Sequence, residues 1–216
     1  MTQVKPRTYR SPRRQEQARQ TRAAILAAAR ERFLERGYQA TTVEEIAAAA
    51  GVSKPTVFAA VGSKAQLLQA VRDVAMAGDD DPAPVAQRPS VQQARDAPTA
   101  EQALRLVAAH IAGLSRRYAR IDEVLRGAAA TGEPELAGLW ETSERQRRAG
   151  AGILLGIIRG KGPLRPGLDP HRGEDILSNY MASDVYLRLV NRLGWPDEDF
   201  QRWLEATLAW QLLGIG

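Results

Sequence analysis

Residues 41–64, TTVEEIAAAAGVSKPTVFAAVGSK, constrain this chain more than any other stretch, because their punctuation admits little besides short helices. Thr42, with Glu45 three residues on, makes a capping box, and Val43, Ile46, Ala47 and Ala50 share one face of the helix it opens. Gly51 ends that helix, since a residue without Cβ takes positive φ freely, and Val52 supplies an apolar plug. Ser53 caps the next helix, Pro55 falls in the first turn, where its missing N–H costs nothing, and Val57, Phe58 and Val61 form an apolar stripe. Ser63 and Gln66 make a further capping box, so another helix starts at once. Two short helices joined by a tight glycine turn form a helix-turn-helix, whose second helix can enter a DNA major groove. The same punctuation also serves helical hairpins with a purely structural role.

On the N-terminal side, Ile25, Leu26, Ala29 and Phe33 recur at helical spacing between Gln17 and Arg36, and Gly37 is placed to end that helix. On the other side, Leu67, Leu68, Val71 and Ala75 continue one stripe to about Ala77. The net charge of +5 is gathered at one end: residues 1–22 hold Lys5, Arg7, Arg10, Arg13, Arg14, Arg19 and Arg22 against Glu16 alone, a net of +6, which leaves −1 for the rest. A basic arm ahead of a helix-turn-helix stands where it can reach a neighbouring groove or phosphates. The other reading of the same residues is a solubilising tail.

The first helix, Gly37 and Tyr38, the run TTVEEIAAAAGVSKPTVFAAVGSKAQLL and the chain length together resemble the TetR family (TetR/AcrR type), over about residues 18–72. The resemblance implies an all-α chain with an N-terminal three-helix helix-turn-helix head and a C-terminal helical bundle for ligand binding and dimerisation. It implies a cytoplasmic homodimer that binds a palindromic operator on double-stranded DNA, represses, and lets go when a small-molecule effector occupies the body. Expected divisions are a flexible arm over 1–17, a head over 18–77, a linker over 78–98 and a body over 99–216. Candidate DNA contacts are Arg22, Thr42, Ser53, Lys54, Pro55, Thr56, Phe58 and Lys64. Arg22 and Thr42 stand where they can reach phosphate. Lys54 can donate to guanine and Thr56 can touch a thymine methyl, so these two carry base readout. Lys64 matches a phosphate-binding lysine of the family. The chain departs from the family pattern at Phe58, where a tyrosine is common, and at Ala60, where a histidine or tyrosine is common; Ala59 is also small. These departures leave open an alternative, a small-molecule-binding or interaction protein with a vestigial head.

The linker GDDDPAPVAQRPS (78–90) is too rich in Pro, Gly and Asp to be helical throughout. From Thr99 a helix carries Leu104, Val107, Ala108, Ile111, Leu114 and Tyr118; a shorter one is expected over about Asp122–Ala130. A long helix from Glu135 ends at GKGPLRPG, and two more are expected over about 171–193 and 197–213. No segment alternates with period two, as a strand would. Candidate ligand-binding residues are Tyr118, Trp140, Tyr180 and Met181, on or near apolar faces of different helices, although core packing explains each equally well. The last helix is apolar on more than one side: Leu204, Leu208 and Gln211 mark one stripe, with Trp203 and Trp210 beside it. That width predicts a dimer interface built from the last two helices, which would hold two recognition helices about one DNA turn, ~34 Å, apart.

With no Cys, thiol chemistry and zinc ribbons are excluded, and His110 and His171 lie far apart, so no metal or cofactor is expected. No GxSxG, HExxH, GxGxxG or Walker loop is present, and GIIRGKG (156–162) lacks the spacing and hydroxyl of a phosphate loop; no enzyme is expected. No apolar run reaches the ~18 residues that would suggest a membrane span.

Overall fold

The computed structural model describes residues 12–78 and 88–215, which form ten α-helices and no strand. Helix α1 (Pro12–Ala40) is followed by α2 (Val43–Ala49), α3 (Lys54–Ala60) and α4 (Lys64–Ala77). The second part holds α5 (Pro89–Asp96), α6 (Ala100–Ala129), α7 (Pro134–Arg159), α8 (Pro170–Tyr180), α9 (Ser183–Tyr186) and α10 (Asp197–Leu208). Wider π-helical turns extend α9 over Leu187–Arg192 and α10 over Ala209–Leu213. The chain divides into two compact units, a head ending at Val71 and a body starting at Arg72. That boundary falls inside α4, not in a loop.

The head closes on Ile25, Phe33, Ile46, Val57, Leu67 and Leu68, all fully buried, the residues whose helical spacing marked them in the sequence. Gly37, with φ 74 and ψ 176, breaks α1. The hydroxyl of buried Thr41 donates to the Gly37 carbonyl at 2.8 Å, so the break is closed by a side chain. Gly51 takes φ 67 at the turn between α2 and α3. Helix α1 begins at Pro12, earlier than expected, so residues 12–17 of the anticipated arm are helical, with Glu16 bonded to Arg19 and Gln20. Residues 1–11 of that arm lie outside the described residues.

In the body the structure differs from the sequence reading in three places. The linker expected over 78–98 contains α5, which Pro89 opens and Val91 and Ala94 anchor in the core; residues 79–87 lie outside the described residues. The helix expected at Asp122–Ala130 is the last part of α6, which runs unbroken because nothing between Tyr118 and Asp122 interrupts it. The helix expected over 171–193 breaks after Tyr180: Ala182 is extended, with ψ 142, and the Met181 carbonyl is taken by the Tyr118 hydroxyl at 2.5 Å.

Trp203 and Trp210 also part company. Trp203 packs among Phe200, Tyr180 and Trp195, with ring centroids 5.8–6.1 Å away, whereas Trp210 is 63% exposed. Trp203 lies in α10, whereas Trp210 lies in the π-helical turn over Ala209–Leu213 that follows it. Leu193 and Ile215 are exposed too. Among the described residues no helix is long and apolar enough to cross a membrane.

Candidate nucleic-acid interface and effector cavity

Helix α3 is held from beneath by Val57, which is fully buried, and presents Ser53, Lys54, Pro55, Phe58 and Ala59 to solvent, with Thr56 half-buried. Its start is fixed locally: the Thr56 N–H donates to Ser53 Oγ at 3.3 Å, and the two hydroxyls lie 2.8 Å apart. Thr42, also exposed, starts α2 by a reciprocal box, its N–H donating to Glu45 Oε2 at 2.9 Å and its Oγ1 accepting from the Glu45 N–H at 3.2 Å. The Glu45 carboxyl is held below its ordinary range by Thr42, first through the backbone N–H, then the hydroxyl, with Arg36 adding to it.

The cations of this face are not all turned outward. The Lys54 ammonium pairs with Glu44 of α2 and lies 5.9 Å from the centre of the Phe58 ring. That pair holds the Glu44 carboxyl below its usual value. With the two side chains 47% and 60% exposed, the pair adds little stability, so a guanine or phosphate can displace it cheaply. Lys64 instead donates to the Thr41 carbonyl at 2.9 Å and sits 4.2 Å above the Tyr38 ring. Arg22 donates to the Ala60 carbonyl at 3.1 Å, tying α1 to the C-terminal end of α3, where a cation is favoured. The structure leaves Thr42, Ser53, Lys54, Pro55 and Phe58 exposed and Thr56 half-buried, and engages Arg22 and Lys64 with the head's own backbone. Glu44, which faces Lys54 across the turn, was missed because a ten-residue spacing falls on no helical repeat.

The body holds an open-sided cavity of about 470 Å³ whose walls come from the end of α4 and from α5, α6, α7 and the end of α8. Of the four candidate ligand-binding residues, Tyr118 and Met181 are among its walls and Trp140 and Tyr180 are not. Tyr180 faces the last helix, where its hydroxyl accepts from Gln211 Nε2 at 2.8 Å and its ring meets Trp203 edge-on. Five polar wall residues escaped the sequence reading: Arg72, Asp73, His110, Gln146 and Arg147. A readable trace existed for Arg72, a cation on the same stripe of α4 as Leu68 and Ala75. Its guanidinium Nε donates to Asp122 Oδ1 at 2.7 Å, both side chains being buried, and Ser183 Oγ donates to Asp122 Oδ2 at 2.9 Å. His110 Nδ1 meets Ser90 Oγ at 2.9 Å, and burial, with the charge of Arg117, pushes its pKa down, so the ring is neutral at pH 7. Burial, with Asp122 nearby, pushes the Tyr118 hydroxyl up, so it stays a donor.

The family model for bacterial regulatory proteins of the tetR family matches residues 25–71, the span from α1 to the end of the head. A stretch of 61 residues is 41% identical to the HTH-type transcriptional regulator TtgR of Pseudomonas putida. It matches the probable HTH-type transcriptional regulator ArpR of Pseudomonas putida equally well. Over residues 25–71 the chain is similar to the tetR family of bacterial regulatory proteins. The match covers 28% of this chain and 29% of each relative's length, so it speaks for the head. Beyond the head the likeness is one of fold. NalD, the secondary repressor of the MexAB-OprM multidrug efflux pump in Pseudomonas aeruginosa, superposes with a TM-score of 0.63 at 21% identity, over 92% of this chain and 98% of that one. FadR from Bacillus subtilis, in complex with stearoyl-CoA, superposes with a TM-score of 0.65 at 21% identity, over 90% and 99%. SmeT, in complex with triclosan, gives 0.66 at 21% identity, over 89% and 91%.

Proposed function

We propose that this tetR-family chain is a DNA-binding transcriptional regulator, a repressor that holds a palindromic operator as a homodimer in the cytoplasm and is released by a small molecule. The observation that carries the reading is the exposed face of α3, where Lys54, Pro55 and Phe58 stand clear of the core on a helix fixed at its start by Ser53. Lys54 and Thr56 read bases, Phe58 lies against a thymine methyl, and Thr42 positions the backbone. The body, from Arg72 onward, binds the effector in the cavity beside Tyr118 and Met181, and the exposed Leu193, Trp210 and Ile215 contribute to the subunit interface. Related folds with triclosan or stearoyl-CoA bound support a ligand-responsive body. Regulators of this family are generally non-enzymatic, and no catalytic role is assigned.

A second reading, a ligand-binding protein with a vestigial head, is favoured by the inward engagement of Arg22 and Lys64 and by Phe58 and Ala60 in place of polar residues. Titration of the duplex upstream of its own coding region against a random duplex, at several salt concentrations, separates the two. A regulator gives nanomolar-range specific binding that weakens steeply with salt. Equal affinity for both duplexes sinks the repressor reading and leaves the second.

A further inference from the structure

Among the cavity walls one group has more hydrogen-bonding capacity than partners. The Arg72 side chain is 5% exposed, yet among the described residues its guanidinium makes a single hydrogen bond, from Nε to Asp122 Oδ1. The other Asp122 oxygen, Oδ2, accepts from Ser183 Oγ, and no bond from Arg72 reaches it. The terminal nitrogens of Arg72 thus have no acceptor there, in a cavity that Arg72 itself lines. A planar fork of donors with N–H groups to spare is best met by a planar acceptor that takes two of them at once, and a carboxylate has that shape. A second guanidinium stands on the same wall: Arg147 pairs with Glu144 through Nη2, and its Nε is buried with no hydrogen-bond partner.

The remaining walls are apolar, with Met76, Leu114, Ile153 and Leu154 among them, and set the character of the rest of the ligand. His110 adds no positive charge, since burial first, and the charge of Arg117 second, push its pKa down. The opposing group is Asp73, whose carboxyl is pushed up by burial, an effect that the Arg72 charge partly offsets. Asp73 already feels the Arg72 charge and Glu144 already pairs with Arg147, so a cationic ligand finds less there than an anionic one finds on the terminal nitrogens of Arg72.

Resting on the reading of the body as an effector-binding unit, we infer that the cavity takes an amphipathic carboxylate, its apolar part against α4, α6 and α7 and its carboxylate on the terminal nitrogens of Arg72, with Arg147 beside it. The ligand class is set by this pair of guanidiniums in a cavity whose other walls are mostly apolar.

Calorimetric titration of the full chain with decanoate, decan-1-ol and decylamine, each below its micellar concentration, tests the assignment. Decanoate is expected to bind on the order of tenfold or more tighter than the alcohol, with the amine weakest. An alcohol or amine that binds as tightly as decanoate overturns it, as does the absence of binding by all three. Arg147→Gln should keep the fold and lower decanoate affinity while leaving decan-1-ol unchanged. Arg72→Gln together with Asp122→Asn, which leaves no lone buried charge, should abolish the preference. If that double variant does not fold, the unmodified protein and Arg147→Gln still decide the matter. Decanoate bound with the expected preference but without effect on operator affinity would keep the site and remove the effector reading; operator release by ligands that show no carboxylate preference would do the reverse.

Discussion

In the head, the hydrogen bonds that start helices run between residues three apart, Thr42 with Glu45, Ser53 with Thr56 and Ser63 with Gln66. In the body, the polar contacts that shape the cavity join residues 50, 61 and 63 positions apart: Arg72 with Asp122, Asp122 with Ser183, and Tyr118 with Met181. The difference separates two ways of making a functional surface. A recognition helix needs only to be started, stopped and pinned by one buried residue, which local chemistry does. A chamber needs walls from several helices held apart, and buried polar pairs between distant segments do that at the cost of making each partner indispensable.

The comparison breaks most sharply at Asp122. Asp122→Ala leaves Arg72 buried without its counter-charge and Ser183 without its acceptor, and should lower stability by about 3 to 5 kcal/mol, measured by denaturant unfolding. A loss under about 1 kcal/mol would mean that water reaches Arg72 freely and that the body is no more tightly coupled than the head. Next in size is Lys54→Ala, expected to weaken specific DNA binding by about 1 to 3 kcal/mol and to relax preference at one base position per half-site, with the melting temperature nearly unchanged. An equal loss for all sequences would make Lys54 a phosphate contact. Thr42→Ala and Ser53→Ala should each destabilise by about 1 kcal/mol, and the effects should nearly add in the double variant, since each cap serves its own helix. Strong non-additivity would show that the head is a network after all.

The smallest expected effect concerns His110. Its folded pKa is depressed, so between that value and the ordinary 6.5 the unfolded chain binds more protons than the folded one. The stability held by the neutral ring is therefore complete above 6.5 and is lost as pH falls below it. His110→Gln should flatten this part of the stability profile between about pH 7.5 and 5.5, measured by denaturant unfolding at each pH. An unchanged slope would assign the acid sensitivity to carboxylates.

These contrasts also explain what could be read before any coordinates. Capping boxes, the Gly51 turn and the Val57 anchor are short-range chemistry, and a linear sequence displays them. The inward turn of Lys64 and Arg22 was hidden because their acceptors are the main-chain carbonyls of Thr41 and Ala60, which leave no mark in side-chain spelling. In the body, helical spacing marked Tyr118 and Met181 as apolar-face residues, and they line the cavity. The same reasoning chose Trp140 and Tyr180, which do not, because the side of a bundle that an aromatic ring faces depends on partners far along the chain. Arg72 was visible as a charge on an apolar stripe, but its partner Asp122 was read as the start of a helix that does not begin there.

The position of the unit boundary within α4 bears on how the molecule comes apart. Leu67, Leu68 and Val71 belong to the head's interior and Arg72 and Ala75 to the body's, yet all five share one run of main-chain hydrogen bonds. The i→i−4 bonds that cross from Val71 to Arg72 cannot be assigned to either unit, so losing structure on one side strips the helix that seats the other. Two units joined in this way should melt as one, and a calorimetric scan should show a single endotherm whose van't Hoff and calorimetric enthalpies agree.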